Sequence, residues 1–133
     1  MEQAFIALLL SDSALVALVG DRIKWGTLTQ GSVNPAIVLH LISDVPDYHM
    51  LGPSGLVESR IQIDCRGTSK ASAKAAANAV QDLLSGYTGT VGSIKFQGIF
   101  KDSERSSFEK PTDGSEAFHL ASADYRVFTG LAA

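Results

Sequence analysis

At 133 residues the chain has the length of one ordinary domain, able to bury about two-thirds of the surface it exposes when unfolded. Its hydrophobic share of 45% and charged share of 19% fit a soluble globular protein, and no apolar run approaches the length of a membrane span, which excludes a chain built to cross a bilayer with helices. The net charge of −3 comes without any Lys/Arg cluster, which excludes a dedicated nucleic-acid binder.

The N-terminal residues carry acidic Glu2 where a secretory signal would carry basic ones, and are expected to be part of the mature structure. Glu2 to Leu10 places Phe5, Ile6, Leu8, Leu9 and Leu10 on a helix-compatible pattern. Ser11-Asp12-Ser13 interrupts it and supplies capping chemistry for a second helical turn, Ala14 to Val19, ended by Gly20. Arg22 to Gly26 alternates as a short strand with Ile23 and Trp25 on one face, Trp25 being a core anchor. After a polar connection over 27–34, Pro35 leads into Ala36 to Ile42, whose β-branched content predicts a strand covered on both faces and central in its sheet. His40 within it is expected to be a core or interface histidine with one satisfied nitrogen.

Residues 44–55, DVPDYHMLGPSG, are rich in turn formers and predict a long loop, yet Tyr48, His49, Met50 and Leu51 stand in a row within it. These side chains either form a contact surface or fold back onto the domain, and the sequence leaves both open. From Val57 the odd positions Val57, Ser59, Ile61, Ile63 and Cys65 alternate with Glu58, Arg60, Gln62, Asp64 and Arg66, the pattern of a strand with one dry and one wet face. Cys65, the only cysteine, lies on the dry phase as a buried structural thiol, and its solitude points to a reducing cytoplasm. Gly67 ends the strand, Thr68 or Ser69 caps a helix, and Ala73, Ala76, Ala77, Val80, Leu83 and Leu84 recur at helical spacing.

Gly86 stops that helix, and Thr88-Gly89 and Gly92-Ser93 mark turns. Ile94 to Lys101 predicts a strand interrupted at Gly98 by a bulge or a close backbone contact. Residues 102–116 hold Asp102, Glu104, Glu109, Asp113 and Glu116 against Arg105 and Lys110, which accounts for the whole net charge, and read as a mobile excursion between strands. Ala117 to Phe128 alternates again, with apolar residues on both phases: Phe118, Leu120 and Phe128 on one, Ala121, Ala123, Tyr125 and Val127 on the other. One face of this strand meets the core and the other meets something else.

No catalytic, metal or cofactor signature stands out. His40, His49 and His119 fall in separate elements, no glycine-rich phosphate loop opens a helix, and G-x-S-x-G is absent. Carboxylate pairs are conceivable at Asp102 and Glu104 or at Asp64 and Asp124, but Arg60, Arg66 and Arg126 lie close enough to neutralise the strand acids. The chain is read as a non-enzyme without cofactors.

Taken in order, ALLLSDSALVALVGDRIKWG, PAIVLHLIS, DYHMLGPSGLVESRIQIDCRG, the alanine-rich helix with its LLSGYTGTVG exit, FQGIFKDSERSSFE and ADYRVF resemble the tail-completion, or tail terminator, proteins of long-tailed bacteriophages and gene transfer agents. The resemblance spans nearly the whole chain and implies one tail terminator-like domain over 1–133, an α+β fold with a mainly antiparallel sheet flanked by an N-terminal helix and a longer alanine-rich one. It further implies a structural subunit of a virion or phage-like particle, assembled in the bacterial cytoplasm and placed at the head-proximal end of the tail. There it would form a homo-oligomeric ring, expected to be a hexamer, that caps the tail tube, ends its polymerisation and joins a head-side connector or stopper protein. DNA would pass through the lumen without specific binding, and no membrane would be engaged. Tyr48, His49, Met50, Leu51, Arg60, Glu104, Arg105 and Phe108 are the expected protein-interface residues. The alternatives are another head–tail joining subunit, and a small-molecule-binding or enzymatic α+β domain.

Overall fold

The computed structural model describes residues 2–20, 22–26, 35–109 and 117–131, and of His49, Pro53, Ser54, Glu109 and Leu131 the backbone alone. The elements are α1 (Glu2–Leu10), α2 (Ser13–Val19), β1 (Ile23–Trp25), β2 (Ala36–His49), β3 (Gly52–Gly67), α3 (Lys70–Leu84), β4 (Gly89–Val91), β5 (Ile94–Glu109) and β6 (Phe118–Leu131). The six strands form one sheet in the order β1-β2-β3-β6-β5-β4. Every neighbouring pair is antiparallel except β1 with β2. This is the expected α+β class.

The dry phase of β3 determines where the helices go. Ile61, Ile63 and Cys65 pair across the ladder with Tyr125, Ala123 and Ala121 of β6, so one face of the two middle strands is continuously apolar and buried. Helix α3 covers it. Ser69 caps the helix, its hydroxyl accepting from Ser72 N–H at 3.1 Å, which satisfies one of the four free N–H groups of the first turn. The buried stripe of α3 is Ala73, Ala76, Ala77, Val80 and Leu84, and its alanines let the helix lie close on the sheet. Leu83 lies at the rim, only partly buried. The same apolar cluster takes in Phe5 and Leu9 of α1, Leu15 and Val19 of α2, and Phe96 of β5. The chain turns by 91° between α1 and α2, and no single helix is long and apolar enough to cross a membrane. Phe5 anchors α1 by packing its ring 6.0 Å from Trp25 and 6.4 Å from Phe96.

Three expectations need correction. Ala36 to Leu39 is buried on both phases as predicted, but β2 stands next to the short edge strand β1, and the centre of the sheet belongs to β3 and β6. Residues 44–55 are not a loop: β2 and β3 continue their ladder through Pro46↔Val57 to His49↔Gly52 and turn at Met50-Leu51. Residues 102–109 are likewise strand, paired with β6 as far as Glu109↔Phe118, while the rest of the expected acidic excursion, 110–116, lies outside the described residues. Physically, these segments are the arms of two long hairpins. The first arm is exposed and the second meets α3 through a polar contact, Glu104 with Lys74, so the apolar burial pattern that marks a strand in sequence fades while the backbone ladder goes on.

Candidate interface surfaces

The wet phase of β3 lies on the sheet face away from α3 and carries an ordered polar network. Asp64 is its best-connected member. Its carboxylate accepts from Ser122 Oγ at 2.7 Å and from Gln62 Nε2 at 2.9 Å, and lies 3.1 Å from His40 Nε2. Two same-face positions along β3, Arg60 pairs with Asp102 and reaches Asp124 at 3.9 Å, and Arg105 lies 3.5 Å from the same Asp124. Arg126 closes the row 3.8 Å from Glu58. Four cations of this face, Arg60, Arg105, Arg126 and Arg66, have a carboxylate or an aromatic ring beside them, the last stacked 4.5 Å over Phe118. The result is a charge-balanced wall whose pairs are individually weak and collectively fix side-chain directions.

A second network ties the opposite face of β5 to α3. Glu104 accepts from Lys74 and, at 2.9 Å, from Lys101, whose ammonium also donates to Gln81 at 2.6 Å. The hydrogen bonds from Lys74 and Lys101 hold the Glu104 carboxyl below its usual range, against the opposing effect of burial. Near this clamp a cavity of about 230 Å³ opens between the first turn of α3 and the outer ends of β5 and β6, with Lys70, Ser106, Phe108 and His119 in its wall. The Phe108 and His119 rings stand 4.9 Å apart.

The expected interface residues are not gathered into one site. Tyr48, Met50 and Leu51 occupy the tip of the β2–β3 hairpin, Tyr48 64% exposed and the two turn residues almost wholly so. Strand β6 runs on past Val57↔Thr129 to Leu131, level with Gly55, so that arm extends beyond the end of β6 by four residues to Leu51, or about 13 Å. Of His49 the backbone alone is described. Arg105 and Phe108 lie toward the opposite end of the sheet, where β5 and β6 near Gly67, and Arg60 lies between the two ends. Glu104 is engaged within the chain by its two lysines. Sequence reasoning missed a run of exposed apolar residues along the outer strands: Leu41, Ile42 and Val45 on β2, and Phe100 on β5. The signal was present, since Phe100 follows Gly98 by two. A Cβ at Gly98 would come within 2.9 Å of the Phe100 ring, which lies over the glycine and packs edge-on against Phe128 at 5.8 Å.

The chemistry available to these groups is limited by their order. In the His40, Asp64 and Ser122 cluster the carboxylate is in the middle, whereas activation of a serine needs the imidazole between carboxylate and hydroxyl. Asp102 and Glu104 do not converge, because one turns to Arg60 and the other to Lys74 on the opposite face. Asp64 and Asp124 share a face but each is held by partners of its own. Cys65 is buried beneath α3, and burial, with the Asp64 charge second, pushes its thiol up to about 12, so it stays protonated and unreactive. Among the described residues no three His, Cys, Asp or Glu side chains converge as a metal site.

Comparison with known proteins bears on this surface chemistry. The family described as Tail completion protein gp17 matches residues 3–129. A chain in the solved structure of the virion of a native gene transfer agent (GTA) particle superposes with a TM-score of 0.68 over 98% of this chain and 94% of that one, at 20% identity, a likeness of fold. None of the curated proteins compared matches the chain.

Proposed function

Because the chain belongs to the Tail completion protein gp17 family, we propose that it is a structural subunit of a phage-like particle, acting as one unit over its whole length at the head-proximal end of the tail. In this reading it forms a ring, a hexamer, that caps the tail tube, ends tube polymerisation and receives the head-side connector. The observation that carries the proposal is the family match over residues 3–129. The geometry supports it through the distribution of contact surfaces. A ring seated between two other proteins needs lateral faces for its neighbours and two axial ends for the tube and the connector, and this chain presents two different outer strands at the sides of its sheet and, toward opposite ends of it, an apolar hairpin tip and Phe108. Binding energy is then spread over protein contacts, with Tyr48, Met50, Leu51, Arg60, Arg105 and Phe108 at or near them. DNA passes through the lumen without specific binding, a role suited to arginines already neutralised within the chain.

The test is mass and shape. Light scattering after size exclusion, with negative-stain imaging of the protein alone and with tail tubes of the same particle, is expected to show six-membered rings seated on tube ends and tubes that no longer lengthen. A protein that stays monomeric in both conditions, or leaves tube growth unchanged, overturns the proposal. Binding to the head-side connector without any binding to tube ends would assign it instead to head–tail joining.

A further inference from the structure

The two outer long strands, β2 and β5, are covered only at one end each. Strand β1 pairs with β2 over Ile37 to Leu39, and Gly26 N–H donates to the Leu39 carbonyl at 2.8 Å. Strand β4 pairs with β5 over Ile94 to Phe96, and Gly86 N–H donates to the Ile99 carbonyl at 2.8 Å. Beyond those points, among the described residues, no strand of the sheet lies against the outer side of β2 from His40 to His49 or of β5 from Phe100 to Glu109, two stretches of equal length. A long strand that no other strand covers is a template for pairing with another chain.

We propose that the open edge of β2 in one copy of this chain pairs, antiparallel, with the open edge of β5 in the next, so that the sheet runs on from subunit to subunit around the ring; this rests on the ring reading above. Strand sense alternates across β2, β3, β6 and β5, so copies set side by side without inversion bring β5 against a β2 of opposite sense. The short strands determine the stagger. Within one sheet His40 is level with Ser103, through Gln62 and Asp124. At that level β1 of one copy and β4 of the other would keep the long strands apart. Sliding one copy by six residues, about 20 Å, sets His40 against Glu109 and moves β1 past the end of β5 and β4 past the hairpin tip. A closed sheet requires such a stagger and expresses it as strand tilt.

The flanking side chains fit this occupant. Pairing would cover Ile42 and Val45 of β2 and Phe100 and Phe108 of β5, all about half exposed. Ten residues a side, less the missing Pro46 N–H and the irregularities in both strands, make about seven backbone hydrogen bonds, within the range of an ordinary interface.

Val45 and Arg105 lie on the same sheet face, level with Glu58 and Ser122 respectively. Val45→Cys is combined in turn with Ser103→Cys, Arg105→Cys and Ser107→Cys, and the protein is oxidised after ring formation, alone or on tail tubes. The buried Cys65 remains silent. At least one pair is expected to give a covalent ladder up to the full ring on a non-reducing gel, and the single-cysteine variants none. Ile42→Lys with Val45→Lys is expected to abolish rings while leaving the thermal midpoint of the monomer unchanged. Rings that yield no ladder from any pair, covalent dimers from Val45→Cys alone, or rings that survive both lysines each overturn edge pairing and leave the ring itself standing. A monomer alone and on tubes overturns both.

Discussion

Glu104 shows how a charge pattern can hide the partners a single residue has inside the fold. In sequence it is one acid among five in an apparently mobile segment, and a candidate for a neighbouring subunit. In the structure its carboxylate is clamped by Lys74 of α3 and Lys101 of β5, side chains 30 and 3 positions away. Only the β5 strand assignment brings the three together. His40 was more legible, since a histidine inside an apolar strand was expected to satisfy one nitrogen, and its Nε2 meets Asp64. Clamping makes Glu104 a pH-dependent contributor to stability. Its folded pKa lies below the unfolded value, so the stabilisation is fully present above the unfolded pKa and is lost as pH falls through the folded one. Urea denaturation at pH 7 is expected to show Glu104→Gln less stable than the parent by about 1–2 kcal/mol. The gap should close steadily as pH is lowered below about 4. A gap independent of pH would mean that the clamp acts by packing and not by charge.

At the scale of elements, the unit that sequence periodicity identified best, β3 followed by α3, is also the one the core is built on. Strand β3 extends beyond the alternating segment only at its N-terminal arm, and α3 begins at the predicted cap Ser69. What periodicity could not show is the length of the hairpins. Val45, Pro46, Asp47 and Tyr48 read as turn chemistry because Pro and Asp are rare inside sheets, yet Pro46 is tolerated here because it stands beside an irregularity in the β2–β3 ladder, between Pro46 and Tyr48. The tight joint between β3 and α3 makes a sharper prediction. Gly67 is buried, and a Cβ there would overlap the Ala73 backbone nitrogen, stand 2.9 Å from Ala73 Cα and 2.9 Å from Ser72 Oγ. Backbone cannot yield as a side-chain tip does, so Gly67→Ala must push the first turn of α3 off the sheet. The expected cost is about 1–3 kcal/mol. Amide hydrogen exchange should place the loss of protection in the first turns of α3 and in β3 near Cys65. Gly98→Ala meets only the Phe100 ring, which can swing outward, and should cost less.

At the scale of the whole molecule, the division between a helix-covered face and an open, charge-balanced one leaves the ends and edges of the sheet as its distinctive surfaces. The β2–β3 arm is the clearest case. It projects beyond the end of β6 at Leu131, and Met50 at its turn is fully exposed. An apolar residue at such a tip contributes almost nothing to folding, because no water is displaced from it when the chain folds. Under the ring reading its contribution is made on assembly. Met50→Asp is therefore expected to leave monomer stability within about 0.5 kcal/mol of the parent by urea denaturation. The same substitution should weaken attachment to tail tubes by about tenfold or more, since burying an unpaired carboxylate at a protein contact costs more than 1.4 kcal/mol. Cosedimentation with tubes reads that loss directly. If attachment were unchanged, the arm would not bear on the tube, and the opposite end of the sheet, with Phe108 58% exposed beside His119, would become the tube-facing surface. The two outcomes orient the subunit along the tail, because the hairpin tip and Phe108 lie toward opposite ends of the same strands and only one of them can point down the tube.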